Sequence, residues 1–256
     1  MSKGWKRLLL VSLLMAALIL LLFAVPALAA PGGKIVTAVA KTWWGKALLF
    51  IAFIVFFPLI VYVWIKEGLA IRRARKALVE LSAMNDAFRW TVINERVQNV
   101  VRQVYTAWKR ADIERAMEFM TSWYWQNQKI TALNEWEADG LVNVCQLNKI
   151  NHIKPLFVEY REKESGDGEG TRVCFLIEVN LKDYLEEKAT GRIVEGDKDD
   201  KDYESIWTMI LEDGRWKLSM IEEASLSLQY AALQNDLAVA AAHLNTNFKY
   251  RGQLNM

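Results

Sequence analysis

His152 and Glu178 are the two residues of this sequence that could form an acid–base pair. His152 lies in the segment NKINHIKP, and Glu178 is the one acidic residue within the alternating segment VCFLIEVNL. A histidine changes its charge near neutral pH, and a carboxylate beside it could help it to transfer a proton. A lone histidine without a matched carboxylate is usually structural, so we interpret His152 in this way. The alternation places Glu178 opposite the apolar face of its strand, so we predict that it is exposed to solvent. The alternative is a small-molecule enzyme that uses this pair.

Acidic residues crowd the segment EEKATGRIVEGDKDDKD and the positions just after it, which invites a metal-binding interpretation. The acidic side chains are Glu195, Asp197, Asp199, Asp200, Asp202 and Glu204. They lack the glycine at the sixth position of a calcium loop, and Lys198 and Lys201 interrupt them. We therefore predict a solvated loop. The sequence has no Cys/His metal spacing, glycine-rich phosphate loop or nucleophile elbow, so we predict neither a metal site nor a cofactor.

Aromatic side chains are the strongest candidates in this sequence for ligand-binding residues. Aromatic rings on amphipathic helices and alternating strands belong to the core by default. Where some of them line an open cavity, they would suit an acyl chain or an apolar peptide segment. The predicted ligand-binding residues are Trp108, Trp123, Trp125, Phe175, Trp207 and Trp216.

Charge is divided unevenly along the chain. Residues 1–65 contain six of the 32 Lys and Arg and none of the 30 Asp and Glu, which leaves a net charge of −4 on the rest. A nucleic-acid-binding domain normally has a strongly basic face, so this balance argues against nucleic acid as a partner. The two cysteines, Cys145 and Cys174, lie in strand-like runs and are predicted to be buried free thiols.

Two apolar segments predict an association with a membrane. Residues 1–29 combine basic residues, a long apolar run and a small-x-small ending, which is typical of a signal peptide or, if uncleaved, a signal anchor. Residues 47–65 carry no charge and would span about 30 Å as a helix, which matches a hydrocarbon core. We predict a transmembrane helix over 47–65.

A basic cluster follows the predicted span. It consists of Lys66, Arg72, Arg73, Arg75 and Lys76. Positive residues stay on the cytoplasmic side, so we expect an inner-membrane protein whose soluble part faces the cytoplasm. The same charges are candidates for a membrane-surface contact, because a basic residue near an anionic leaflet gains about 1 kcal/mol.

The soluble part begins with helices. Residues 69–90 show apolar residues at helical spacing, which predicts an amphipathic linker helix that docks on its own domain or on a partner. In NERVQNVVRQVYTAWKRAD, apolar residues follow i, i+3, i+4, i+7, i+8 and i+11, so this helix must face a substantial core. Two more helices are predicted over IERAMEFMT, with Asp112 as N-cap, and over WYWQNQKITALNEWEAD, which Gly140 ends.

After Gly140 the apolar period changes to two. LVNVCQLNKINHIKPLFVEYRE reads as one long or bent strand, TRVCFLIEVNLKDYL as a second, and Asp213-Gly214 as the turn of a hairpin. Trp216, Leu218 and Met220 alternate on the returning strand of that hairpin. Helices followed by antiparallel strands predict an α+β fold, with the helices on one face of a curved sheet.

Residues 225–245 carry a last apolar stripe that includes Leu233 and Leu237. The stripe predicts a C-terminal helix that covers the sheet or binds a second subunit. In the latter case the chain would be a structural subunit that oligomerises through this helix. Residues 246–256 are predicted to form a loose tail.

VQNVVRQVYTAWKRADIERAMEFMTSWYWQNQ and DYESIWTMILEDGRWKLSMIEE together resemble the Tim-forty-four-like domain family. In that family a helix ends in Ala-Trp before a small-Asp pair, and the closing hairpin carries Trp-Thr and then Trp-Lys-Leu. GRIVEGDKDDKD lies where the family has a loop with glycine and acidic residues. The resemblance covers residues 94–224. It implies a cone-shaped fold of the nuclear-transport-factor-two-like superfamily, with about three helices packed on a strongly curved antiparallel sheet.

The resemblance also implies a role. The mitochondrial namesake is an inner-membrane scaffold that tethers the import motor and contacts cardiolipin-type lipids, and bacterial relatives are membrane-anchored. No region of this sequence resembles the namesake's long chaperone-binding helices, so the motor-tethering role is not carried over. We interpret the chain as a non-catalytic binding or scaffold module for an anionic lipid, an acyl chain or a membrane-protein partner. A link to protein translocation or membrane assembly is part of this expectation.

Overall fold

The computed structural model describes residues 42–162 and 167–237. The chain divides into one compact unit that ends at Tyr62 and a second that begins at Val63. The predicted signal segment, the predicted tail and the second half of the predicted C-terminal helix lie outside the described residues.

Helix α1 (Trp43–Ser82) contains the predicted transmembrane segment. Among the described residues it is the one helix long and apolar enough to cross a membrane, as judged by length and composition, and none of its most apolar stretch is buried. The predicted linker helix 69–90 ends earlier than expected. Asn85 adopts an extended conformation, and its side chain accepts a hydrogen bond from Ala87 N at 2.8 Å. This cap starts a separate 3-10 turn at Asp86–Phe88.

Helix α2 (Trp90–Lys109) has the apolar face that its sequence predicts. Four of its five valines, at positions 97, 100, 101 and 104, are fully buried. They recur every three or four residues, so one continuous stripe of the helix lies on the sheet. Each fully buried valine contributes about 1.5–3 kcal/mol of hydrophobic stabilisation.

A broken helical stretch joins α2 to the sheet. Thr121 begins its main part, because its hydroxyl accepts a hydrogen bond from Tyr124 N at 3.3 Å. The segment predicted as a short α-helix after Asp112 is instead a 3-10 helix. The bounds are Ile113–Phe119 for the 3-10 helix, Ser122–Gln128 for α3, Lys129–Leu133 for a π-helical turn and Asn134–Ala138 for α4.

Four antiparallel strands follow, in the spatial order β1-β2-β3-β4. They are β1 (Leu141–Glu159), β2 (Arg172–Glu187), β3 (Ile193–Glu212) and β4 (Arg215–Glu223), and a short helix, α5 (Ser227–Ala232), comes after them. Strand β1 contains three register shifts, as expected of a long, bent strand. The predicted α+β fold with an antiparallel sheet is confirmed.

The predicted solvated loop over residues 186–202 is wrong for most of its length. Strand β2 continues to Glu187 and β3 begins at Ile193, so only a short turn separates them. Asp183 pairs with Asp197 where β2 and β3 extend beyond β4. The two backbones satisfy each other's hydrogen bonds, and the charged side chains project into solvent. Side-chain polarity therefore did not reveal the strand.

The two faces of the sheet carry different apolar clusters. The inner face, which the helices cover, includes the alternating residues of β2 from Val173 to Leu181. The outer face carries a smaller cluster in which Cys174 and Leu176 pack with Ala70 of α1 and Ala231 of α5. The fold therefore has one main core and one minor core on opposite sides of the same sheet.

A β-bulge corrects one expectation about β4. Thr208 pairs with Met220 but the next residue, Met209, pairs with Leu218, so Ser219 is an extra residue in β4. The extra residue reverses the alternation beyond it. Met220 is consequently 40% exposed, while Ile221 packs against the main core.

Gly168 occupies a tightly packed position with a left-handed backbone. Its φ is +84°, and a Cβ atom there would lie 2.6 Å from Cζ of the Phe88 ring. Phe88 is itself buried, with its ring centroid 5.7 Å from that of Trp216. The ring therefore has little room to move away.

We expect Gly168→Ala to destabilise the protein more than Gly191→Ala does. Both glycines have a positive φ, which costs about 1 kcal/mol for alanine, but a Cβ at Gly191 would meet nothing within 4 Å. The clash with Phe88 should add about 1–3 kcal/mol. Denaturant unfolding of the full chain in detergent measures both values. Equal losses for the two variants would contradict the packing described here.

Candidate functional site

Three of the predicted ligand-binding aromatics lie in the core. Phe175 and Trp207 are completely buried and Trp216 is 2% exposed. Trp216 donates a hydrogen bond from Nε1 to Ala87 O at 2.9 Å, and Trp207 donates one to Ser205 Oγ at 2.9 Å. Their polar atoms are satisfied internally, so these side chains hold the fold together and do not line an open site.

The other three predicted aromatics lie nearer the surface, but not together. Trp123 is 64% exposed, and Trp125 packs partly against the main core. Trp108 packs on Trp136, with the ring centroids 5.6 Å apart. Trp136 lines a cavity of about 280 Å³, the α4–β1 groove. Its other lining residues are 111–114, 129, 133, 134, 137, 141–143 and 188.

A second and larger cavity lies between α2 and β1. This α2–β1 groove has a volume of about 450 Å³ and is lined by residues within 102–109 of α2 and by 146–150 of β1. Leu147 and Ile150 pack against the main core, so they form an apolar floor together with the ring of Tyr105. The two grooves follow each other along the same edge strand.

Three cations surround the α2–β1 groove, and no acidic residue lines it. They are Arg102, Lys109 and Lys149. Among the described residues none of the three forms an ion pair, although Arg102 donates a hydrogen bond to the amide of Gln98 at 3.2 Å. Positive charges in a concave site focus the field and attract anions. The groove is therefore suited to an anionic group attached to an apolar chain.

An acidic side chain lies on the inner face of the sheet beside this groove. The inner-face alternation of β2 reaches Leu181 and Leu185, and Asp183 occupies the position between them. Asp183 pairs across the strands with Cys145, which is buried. Its Oδ1 atom is buried and has no hydrogen-bond partner among the described residues.

Burial controls the protonation of this cluster. Burial raises the pKa of the Asp183 carboxyl, whereas hydrogen bonding from Asn143 and Cys145 opposes the rise and the charge of Glu195 adds to it. Burial, with help from the Asp183 charge, also raises the pKa of the Cys145 thiol to about 12. The pKa of the Tyr105 hydroxyl is raised by burial first and then by Cys145 and Asp183. Cys145 and Tyr105 are consequently neutral at physiological pH.

The sequence analysis does not identify Asp183, although the alternation of apolar residues along β2 contains the information needed to do so. Glu178 is the acidic residue of the alternating segment VCFLIEVNL, but it lies on the outer face of the sheet. Extending the same alternation by one step beyond Leu181 reaches Asp183 on the inner face. The cations of the α2–β1 groove could not be predicted in the same way. Arg102 and Lys109 lie on α2 and Lys149 lies on β1, and only the folded structure brings these two elements together.

His152 and Glu178 are brought together by the structure as directly paired residues of β1 and β2. Directly paired residues of antiparallel strands project to the same side of the sheet. His152 is exposed, and Glu178 accepts a hydrogen bond from Asn151 Nδ2 at 3.2 Å. Neither residue lines either of the two grooves.

The predicted membrane-surface cluster is only partly available for a membrane. Arg73 donates from Nη2 to Ala231 O at 2.6 Å, at the end of α5, and the Arg75 guanidinium lies 4.2 Å from the centroid of the Trp90 ring. Lys76 is exposed and lies 3.8 Å from Glu80. Lys66 and Arg72 are exposed on α1. Two of the five cations thus have structural roles within the domain.

Within residues 42–162 and 167–237, no three His, Cys, Asp or Glu side chains are grouped so as to hold a metal ion. The predicted calcium-like acids lie on β3, where Asp197 binds Lys201 and Asp202 accepts a hydrogen bond from Asn180 Nδ2 at 2.8 Å.

No known protein family matches the chain, and no curated protein does. Among solved structures, the chain is similar to the intermembrane space region of chloroplast protein ARC6, with 17% identity over 49% of this chain and 92% of that one (TM-score 0.35). It is also similar to AclR, a proposed hydroxylase from Streptomyces galilaeus, with 13% identity over 59% and 93% (TM-score 0.23). A proposed polyketide cyclase from Xanthomonas campestris pv. campestris shows 11% identity over 54% and 98% (TM-score 0.23). Similarities at this level assign neither a fold family nor a function.

We expect Asp183 to make the stability of the protein depend on pH. The pKa of its carboxyl is higher in the folded than in the unfolded chain, so its contribution is fully present below about pH 4. The contribution is lost as the pH rises through the folded pKa. Relative to Asp183→Asn, the wild type should therefore lose free energy of unfolding as the pH rises above about 4.

Denaturant unfolding of both chains in detergent across this range provides the measurement. Asp200→Asn is the matched control, because Asp200 is exposed on β3 and its replacement should leave the profile parallel to that of the wild type. A constant difference between the wild type and Asp183→Asn at all pH values would show that Asp183 is not effectively buried.

Proposed function

We propose that this chain is a membrane-anchored, non-catalytic binding module whose α2–β1 groove takes an anionic amphiphile. The observation that carries the proposal is the set of three cations, unpaired among the described residues, around an apolar floor with no acid in the lining. Clustered like charges repel each other, so such an arrangement gains stability when an anion joins it. An acyl chain with a carboxylate or phosphate headgroup matches both parts of the groove.

With a membrane anchor, a modest affinity of the groove for a lipid or a membrane protein would be sufficient for binding. Helix α1 is long and apolar enough to cross a bilayer, and its exposed aromatic residues include Trp43 and Trp44 at one end and Trp64 further along. Aromatic side chains of this kind favour the membrane interface. Tethering raises the effective concentration of lipids and membrane proteins near the groove, as a linker does for a second binding site.

We infer that the domain is a Tim-forty-four-like cone domain, and three features of its fold support this inference. Helix α2 ends just after Ala107-Trp108, a broken helical stretch follows, and the closing hairpin turns at Asp213 and Gly214, both with a positive φ. We infer from these features, together with the sequence resemblance, that the module is a scaffold of this type in protein translocation or membrane assembly. Fold alone does not define a role, so the groove remains the basis of the functional proposal.

We further propose that the binding domain faces the cytoplasm at the inner membrane. The basic residues after the apolar part of α1 support this orientation. Protease treatment of oriented vesicles tests it: residues 90–223 should be digested in inverted vesicles and protected in right-side-out ones. The reverse pattern would place the groove outside the cytoplasm.

An enzyme that uses His152 and Glu178 is the second candidate, favoured by their direct pairing across β1 and β2. It has less support than the binding module because His152 is exposed and neither residue lines a groove. Oligomerisation through the C-terminal segment is a third candidate. Its described helical part is short, since α5 ends at Ala232, and Leu233 is 46% exposed.

We expect the double substitution Lys109→Gln/Lys149→Gln to weaken the binding of octanoate about tenfold. Each lysine near an anionic group contributes about 0.5–1 kcal/mol, and 1.4 kcal/mol corresponds to a factor of ten. Calorimetric titration of the full chain in nanodiscs of zwitterionic lipid gives the affinities, with empty nanodiscs as the blank.

Lys182→Gln/Lys198→Gln is the matched control for that measurement. It removes the same net charge from positions outside the groove, so it should change the affinity by less than twofold. If both double variants weaken binding equally, attraction is due to net charge and the groove is not the site. If the wild type binds no octanoate, the proposed function is wrong.

A further inference from the structure

We propose that the first part of β1, residues 141–147, pairs as an antiparallel strand with the same segment of a second copy of this chain. We call residues 141–147 the open edge of the sheet. The inference goes beyond the proposed function, because it assigns a partner and an interaction surface that do not depend on a ligand in the α2–β1 groove.

The open edge lacks the features by which proteins prevent an edge strand from pairing with another chain. Those features are charged side chains, proline and β-bulges. The open edge reads LVNVCQL, without a charge or a proline, and its register with β2 is unbroken from Leu141 opposite Glu187 to Leu147 opposite Leu181. Among the described residues no backbone hydrogen bond from outside the sheet reaches it. Its outward backbone groups are therefore available to another strand.

The remaining edges of the described sheet do carry such protection. Residues 193–204 of β3, which extend beyond β4, include eight charged side chains. In β4, Leu218 O accepts a hydrogen bond from Thr121 N at 2.8 Å. The later part of β1 contains register shifts and Pro155, and its end forms a bridge to Asp236. The contrast sets the open edge apart as the unprotected edge of the described sheet.

The two grooves leave space beside the open edge. Residues 141–143 line the α4–β1 groove, and residues 146–150 line the α2–β1 groove. Neighbouring residues of a strand point to opposite faces of the sheet, so a cavity lined by consecutive residues lies along the edge of the strand. The helices therefore do not close over these parts of the edge.

The charges at the two ends of the open edge favour a second copy as the partner. Lys149 lies two residues after the edge and Asp139 two residues before it, and both are exposed. When two copies pair antiparallel about Val144, each Lys149 comes beside Asp139 of the other copy, and Leu141 lies opposite Leu147. Opposite charges and apolar side chains that meet across two strands stabilise the pairing. A twofold interface of this kind is self-complementary.

A bilayer is the setting in which this dimer is expected. Two short strands form a small interface, and small interfaces are usually transient. Helix α1 is long and apolar enough to cross a membrane, and anchoring two copies in one membrane raises their effective concentration.

Cysteine cross-linking of the full chain in zwitterionic liposomes tests the pairing. In Val144→Cys the two new thiols face each other across the twofold axis, so a short bis-maleimide should join most of the chain into a dimer. Lys154→Cys is the matched control, because this position lies on the same strand and face but about 30 Å from the axis, and its cross-linking should be lost. The native Cys145 and Cys174 are buried and should not react.

Charge reversal identifies the partner as a second copy. Lys149→Glu or Asp139→Lys alone places like charges side by side twice in each dimer, so each should weaken dimerisation about tenfold, and the double variant should restore it. Lys198→Glu, at an exposed position of β3, should have no effect. The yield of Val144→Cys cross-linking over a series of protein-to-lipid ratios measures this equilibrium. Lys149 also lines the α2–β1 groove, so octanoate is left out.

The outcomes separate this inference from the proposed function. If Val144→Cys stays monomeric, or if it and Lys154→Cys cross-link equally, the inference is wrong whether or not octanoate binds. Single reversals that weaken dimerisation without recovery in the double variant would also overturn it. If the dimer forms but octanoate does not bind, only the proposed function fails.

Discussion

The burial of the inner face of β2 is the interaction on which the rest of the structure depends. Strand β2 pairs with β1 on one side and with β3 on the other, and its alternating residues from Val173 to Leu181 lie beneath the helices. The valine stripe of α2 and Phe88 belong to the same buried cluster as these residues, and the Phe88 ring packs against the loop at Gly168. Loss of this contact would leave the helices without a surface to cover and the sheet with an exposed apolar face.

The same arrangement explains where the grooves lie. Strand β4 pairs with β3 only from Ser205 to Glu212, whereas β1, β2 and β3 continue well beyond it. The helices that cover this longer part of the sheet are short and interrupted by a π-helical turn between α3 and α4. A broken helical layer over a long, bent strand cannot fill the space as closely as α2 fills it. The space that remains is the α4–β1 groove, whereas the α2–β1 groove lies where register shifts bend β1 beside the C-terminal part of α2.

Some features of this fold could be read from the sequence because they depend on local periodicity. The valines of α2, the alternation of β2 and the turn at Asp213-Gly214 each follow from the spacing of residues within one element. Features that depend on pairing between elements could not be read. The strand over residues 193–202 is hidden by its charged side chains, and the exposure of Met220 results from one extra residue in β4.

Most of the candidate site depends on pairing between elements and therefore could not be predicted from the sequence. Three of the predicted ligand-binding aromatics proved to be core residues, because a tryptophan that packs a core and one that lines a cavity have the same spacing in a strand. The cations of the α2–β1 groove are separated by about 40 residues of sequence and meet only when β1 lies beside α2. Asp183 is the exception, since its place in the alternation of β2 is visible in the sequence itself.

Two departures from the usual rules of folding coincide at this one location. Like charges surround the α2–β1 groove without partners among the described residues, and a carboxylate oxygen is buried behind it without a donor. Elsewhere the fold satisfies its polar groups closely, as the tryptophan nitrogens of the core and the Arg73 contact with α5 illustrate. Local costs to stability are expected where a protein binds something, because the ligand then supplies what the fold lacks. The excess of positive charge around the α2–β1 groove is the deficit that an anionic group would correct, and the floor that Leu147 and Ile150 form would receive an apolar chain attached to it.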